Sequence, residues 1–228
     1  MKTLLTQKKF RTRYSFILLL SSLIFLLIFP PYWQGEYKRL ISNILLSVTM
    51  FSFLLLVIEK KWELTAAIAL SIPAIFHNWS GFIYTGNYQS TTLITLNVLF
   101  YLFITFELLR YVMNEKVVDF NIISASISAY LLLGVVWAYI YTVIDLNSPG
   151  SIFESFSYTD SDTFLKYLYF SYVTMTTLGY GDISPHTTIA QNWVILQAII
   201  GQFYLAIIVA RLVAIYSSQG SHSERYDE

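Results

Sequence analysis

Between residues 174 and 182 the chain reads Thr174-Met175-Thr176-Thr177-Leu178-Gly179-Tyr180-Gly181-Asp182. Stripping water from a small cation requires replacement oxygens, and closely spaced backbone carbonyls closed by a threonine hydroxyl can supply them. Carbonyls face one common axis only if the backbone alternates into φ/ψ regions that residues with a Cβ avoid. Glycine is therefore needed at every second position, here Gly179 and Gly181. No nucleophile triad, phosphate loop or metal-ligand cluster accompanies the run.

The flanking residues say how such a segment would be held. Asp162 or Thr163 can cap a helix through Phe164 to Val173, which is too short to span a bilayer and reads as re-entrant. Its C-terminal end, with its partial negative charge, would point toward the membrane centre. Irregular backbone at that depth is tolerated only where it lines a wet cavity.

In this setting Thr177-Leu178-Gly179-Tyr180-Gly181 resembles the selectivity filter of the tetrameric pore-loop potassium channel family, which usually has Thr-Val-Gly-Tyr-Gly. The resemblance implies that Thr176, Thr177, Leu178, Gly179, Tyr180 and Gly181 form the ion-binding segment, through carbonyls and the Thr177 hydroxyl. It implies no cofactor and no catalysis, with K+ alone as the permeant ion. Leu178 replaces valine but lends only its carbonyl. Tyr180 would turn into an aromatic cuff with Tyr169, Phe170 and Tyr172. Where some members have a glutamate behind the filter this chain has Val173, so Asp182 loses that partner. Tyr169, replacing a common tryptophan, is the nearest donor left to it.

Gly201, twenty residues after Gly181, matches the family's hinge position, and close helix packing explains it nearly as well. Gln202, Leu205, Val209 and Val213 follow at helical spacing on one stripe that would line the cavity and gate. Arg211 lies off that stripe and is expected to snorkel or to pair with Glu115 or Asp119. Asp145, Glu154, Asp160, Asp162 and Asp182, against Lys166, would make an acidic outer vestibule. His186 beside Pro185 is a possible pH-sensitive group, whereas His77 and His222 look incidental.

Composition sets the class. The 228 residues are 56% hydrophobic and 18% aromatic, with 12% charged residues, 14 basic against 14 acidic, and no cysteine. This describes an all-α integral membrane protein with no basic arm for nucleic acid and no disulfides or thiolate metal sites. Lys2, Lys8, Lys9, Arg11 and Arg13 precede a first apolar run that ends in Pro30-Pro31-Tyr32-Trp33. Without a small-residue cleavage site, that run reads as an uncleaved helix.

Six segments are long enough to span: Tyr14 to Phe29, Leu40 to Ile58, Trp62 to Trp79, Thr92 to Val112, Asn121 to Ile144 and Thr188 to Tyr216. The third is interrupted by Pro73, which should kink it. With the N-terminus inside, Lys2, Lys8, Lys9, Arg11, Arg13, Lys60, Lys61, Arg110, Lys116, Arg211 and Arg225 fall on the cytoplasmic side, and Lys38, Arg39 and Lys166 outside. Both termini are then cytoplasmic in a multi-pass protein. Tyr32, Trp33, Tyr37, Trp79 and Tyr84 lie at the outer interface.

The organisation expected is a four-helix unit over 1–112, a linker over 113–120, a helix, pore loop and helix over 121–217, and a cytoplasmic tail over 218–228. The tail is too short for a nucleotide- or calcium-binding domain. One filter per chain implies a four-fold homotetramer in lipid, and the short linker predicts that each four-helix unit packs on its own pore helices. The layout resembles six-helix prokaryotic channels whose voltage-sensor-like unit lacks the arginine repeat. The fourth helix has only Arg110, and helices two and three show no buried acid to pass arginines along. Glu107 at i−3 from Arg110 reads as a local pair. The function expected is passive potassium conduction with weak or absent voltage sensing. A non-conducting subunit that assembles with other chains is the alternative, and a secondary transporter is disfavoured for want of inverted repeats. The resemblance places the chain in a prokaryotic cytoplasmic membrane.

Overall fold

The computed structural model describes the backbone of residues 2–83, 90–152 and 163–223, and the side chains of residues 12–80, 90–152 and 163–218. All regular structure among them is helical: α1 (Lys2–Ile28), α2 (Gly35–Val57), α3 (Lys61–Ile83), α4 (Thr91–Asn114), α5 (Phe120–Asn147), α6 (Thr163–Met175) and α7 (Thr188–Ser223), with one 3-10 turn at Pro30–Tyr32. The helix ends follow local chemistry. Phe29 is still helical (φ −80°, ψ −42°), and α1 gives way to the 3-10 turn at Pro30 and Pro31, which have no N–H to continue the ladder. Asp119 caps α5 by accepting the Ile122 N–H at 3.0 Å, and Thr187 caps α7 by accepting the Ala190 N–H at 3.3 Å.

Among the described residues, five helices are long and apolar enough to cross a membrane: α1 from Thr12, α2, α4, α5 and α7. α3 carries Lys61, Glu63, His77 and Asn78 and, over the side chains described to Ser80, is less apolar than these five. It runs unbroken through Pro73. The described helices are those of a multi-pass membrane protein, five of them apolar enough to span by length and composition.

Two packing relations position the site. α4 lies along α5 as its principal neighbour, and α1 packs on both α2 and α5, so the first four helices rest on α5 of their own chain through α4 and α1. Tyr101 of α4 stacks on Tyr139 of α5 with ring centroids 5.5 Å apart in that seam. The connection from α4 to α5 is residues 115–119, three residues shorter than the 113–120 linker expected. In contrast, α7 leaves most of its surface open: 11% of its apolar window is buried, against 67% for α5.

Candidate functional site

α6 ends at Met175, and the chain turns back on itself through hydrogen bonds to the end of that helix. The Thr176 N–H donates to Tyr172 O at 2.9 Å, Thr177 N–H to Thr174 O at 3.0 Å, and Leu178 and Gly179 N–H both to Val173 O, at 3.0 and 3.3 Å. No peptide bond among the described residues is cis. In a planar trans peptide the carbonyl points opposite the following N–H. The carbonyls of Thr176, Thr177 and Leu178 therefore face away from α6.

The backbone then alternates: φ is 62° at Thr177, 54° at Gly179 and 76° at Gly181. Thr177 is the one non-glycine among the described residues with positive φ. That conformation costs an L-residue about 1–2 kcal/mol, and strain of this kind collects where geometry serves function. The Thr176 hydroxyl donates back to Tyr172 O at 2.6 Å, so it is held by α6. Leu178 and Tyr180 are 57% and 65% exposed, on the open surface of the chain.

The groups around this segment divide by direction. Tyr169 donates its hydroxyl to Asp182 Oδ2 at 2.7 Å, the bond that Asp182 required once Val173 replaced an acid. That hydrogen bond raises the phenol above its usual pKa. Phe170 packs on Tyr141 of α5 with centroids 5.1 Å apart, and Tyr172 donates to Leu131 O of α5 at 2.6 Å. Within one chain the expected cuff around Tyr180 is thus split, with Tyr169 toward the filter and Phe170 and Tyr172 toward α5.

Behind α6 lies a polar junction that sequence reasoning missed. Gln197 of α7, 0% exposed, donates to Ser171 O at 2.9 Å and reaches Ser171 Oγ at 2.8 Å. Ser171 Oγ donates to Gly134 O of α5 at 2.8 Å, and the Tyr141 hydroxyl donates to Gln197 Oε1. Three helices are joined at one point. The available signal was a glutamine and a serine inside apolar runs. Gly134 makes room for the Tyr172 ring, which a Cβ would overlap. At Gly201 a Cβ would lie 2.7 Å from Met175 Cγ and 3.0 Å from Met175 O. The packing role of Gly201 is therefore visible, at the residue where the filter segment begins.

Asp145 corrects an expectation. It is fully buried, where it accepts the Tyr167 hydroxyl at 2.6 Å and the Ile152 N–H at 2.9 Å. It ties α6 to the end of α5 and is no vestibule acid, because it lies inside the α5–α6 packing. Glu154, Asp160, Asp162, Tyr84 and Arg225 lie outside the described residues, as do the side chains of Lys2, Lys8, Lys9, Arg11 and His222. His186 is exposed, and its backbone N–H donates to Ser151 O at 2.8 Å. Gln202, Leu205, Val209 and Val213 all lie on the open side of α7.

At the opposite end of α5 and α7, Arg110 sits 3.4 Å from Glu107 Oε1 and 3.7 Å from Glu63 Oε1, and Lys60 lies 3.6 Å from Glu107 Oε2. The local Glu107–Arg110 pair is present. Glu63, in the first turn of α3, is an acidic partner for Arg110 that the sequence expectation did not include. For Arg211 the expected pairing with the carboxylates of Glu115 or Asp119 is corrected. Its guanidinium donates to the backbone carbonyls of Val112, Met113 and Glu115, because the end of α4 offers unpaired carbonyls at that place.

With this geometry in view, comparison with known proteins is specific. Residues 126–218 match a family described as ion channel. That span holds most of α5, all of α6, the 176–182 segment and α7 to Ser218, and includes none of α1–α4. The chain is 29% identical over 92 residues to two-pore potassium channel 4 of Arabidopsis thaliana, covering 40% of this chain and 32% of that protein. The match thus spans about a third of the relative's length. No solved structure matches.

Proposed function

We propose that the chain is a potassium-selective channel in which four copies bring their 176–181 segments around one axis. The observation that carries this reading is the alternation of positive φ at Thr177, Gly179 and Gly181, in a segment whose amides bond back to α6 and whose first carbonyls face away from it. Four such strands stack rings of oxygens that replace the hydration shell of K+. The open faces of α7, Leu178 and Tyr180 are the surfaces that neighbouring copies would cover.

Membrane placement follows the charge distribution: N- and C-termini cytoplasmic, α3 included as a sixth crossing, and Asp182 at the outer mouth. Voltage dependence is weak on this reading. Four copies of Arg110 crossing the whole field would supply about 9 kcal/mol per 100 mV, against three to four charges per subunit in strong sensors. Arg110 is also 53% exposed and paired with Glu63 and Glu107.

The test is reconstitution of the purified chain alone into liposomes. Potassium and rubidium should pass, and sodium should be excluded. Absence of any flux from correctly assembled tetramers would favour the non-conducting subunit instead.

A further inference from the structure

The helix that carries the proposed gate is fastened near its far end to a helix outside the pore. Arg211 Nε donates to Val112 O at 3.4 Å, and Nη2 donates to Met113 O and, at 3.3 Å, to Glu115 O. These acceptors belong to the last turn and cap of α4, which ends at Asn114. The last carbonyls of a helix have no partner within it and carry its partial negative charge. One guanidinium therefore supplies directed donors and a compensating charge together, which an ammonium cannot do in the same planar arrangement.

The same end of α4 is fixed from the other side. Arg110, one turn earlier, is paired with Glu63 at the start of α3 and with Glu107, which Lys60 also approaches. Around the connection, Asp119 caps α5 and the Arg13 guanidinium stands 5.3 Å from the centroid of the Phe120 ring. Arg211 lies two residues after Val209 and two before Val213, on a stretch of α7 whose neighbouring side chains are largely open. On its α5 side the same stretch is held by Tyr204, whose hydroxyl donates to Ser126 O, and by Ile208 and Leu212 in the core; the Arg211 clasp is its tie to α4. Any outward swing of α7 at Leu205–Val213 must either release the carbonyls of α4 or carry the end of α4 with it.

We infer that Arg211 is a positioning residue for gating: it clasps the C-terminus of α4 and so couples the four-helix unit to the pore-lining helix. The inference rests on the channel reading. It assigns to α1–α4 a mechanical role that needs no moving charge, since the load passes through hydrogen bonds to backbone. The filter is remote from the clasp, so conductance and selectivity belong to a different part of the chain.

Single-channel recording of the full-length tetramer in planar bilayers tests this, with Arg211→Gln and Arg211→Lys beside the wild type. Arg211→Gln should change the open-to-closed ratio by about tenfold, within the usual range of coupling between sites, at unchanged unitary conductance and K+/Na+ selectivity. Arg211→Lys should fall between the two, keeping the charge but losing the fork. Should Arg211→Gln fail to assemble, the lysine variant decides alone: wild-type gating in it overturns the inference, and a shifted ratio at normal conductance supports it. In an assembled Arg211→Gln tetramer, a wild-type open-to-closed ratio overturns the inference. Failure of the wild type to conduct would instead strike the channel reading itself.

Discussion

The pore unit and the four-helix unit satisfy their buried polar groups in different proportions, although Ser126 and Thr142 of α5 also bond within their own helix. In α5–α7, Ser171, Gln197, Tyr141, Tyr167, Tyr172 and Tyr204 all bond from one helix to another. In α2 and α4 the hydroxyls of Ser42, Ser47, Thr49, Ser52 and Thr105 each bond a carbonyl four residues earlier in their own helix. Ser22 to Thr49 at 2.9 Å, Asn43 to Asn78 O at 2.5 Å and Trp79 Nε1 to Ser47 Oγ at 3.1 Å do cross between helices. A bond inside one helix survives any rigid-body shift of that helix, whereas a bond across helices fixes register. The pore unit is thereby locked around the 176–182 segment, and the four-helix unit is left freer to slide.

The sharpest break in this comparison is expected at Gly179, where φ is 54°. Gly179→Ala should abolish potassium flux while tetramers still form on size-exclusion chromatography, because space exists for a Cβ but the conformation is wrong for it. Next comes the junction at Gln197. Gln197→Leu strips partners from Ser171 and Tyr141, and each buried group left unsatisfied costs about 1–3 kcal/mol. Thermal melting should show a clear drop, with faster loss of conduction. Ser52→Ala, which removes a hydroxyl bonded to its own helix, should change melting by less than about 1 kcal/mol. Equal effects from Gln197→Leu and Ser52→Ala would erase the distinction between the units.

A smaller effect is expected from Tyr169→Phe. Losing one hydrogen bond worth about 1 kcal/mol should shift the conducting filter's occupancy by roughly fivefold, seen as quicker decay of current in sustained recordings. Unchanged decay would mean that Asp182 holds its place without Tyr169. Least of all should come from Arg110→Gln, since an exposed ion pair contributes about 0–1 kcal/mol. Its signature is a voltage dependence as shallow as that of the wild type. A marked change in steepness would show that the four-helix unit moves charge after all.

What was legible in the sequence follows from how local each feature is. The backbone of the 176–182 segment could be read because alternate glycines permit the alternate φ values found at 179 and 181. The helices were legible from apolar length, but α1 begins at Lys2 and α7 runs to Ser223, well beyond the apolar runs from Tyr14 and to Tyr216, and the linker is shortened to 115–119. The Gln197–Ser171–Gly134 junction was not legible, because its members come from three separate helices and no spacing relates them. Asp145 looked like one more loop acid, yet the α5–α6 contact surrounds it. Arg211 was matched to carboxylates because carboxylates are what a sequence displays. The carbonyls at the end of α4 that it actually meets leave no mark in residue identity.

The central claim is that the 176–181 segment selects potassium. Its most direct test is the reversal potential of the purified wild-type chain in a planar bilayer, with potassium on one side and sodium on the other. The account predicts a potential displaced strongly toward the potassium equilibrium value, and lost together with all current in Gly179→Ala. A reversal potential near zero in the wild type, with sodium carried as readily as potassium, would contradict it.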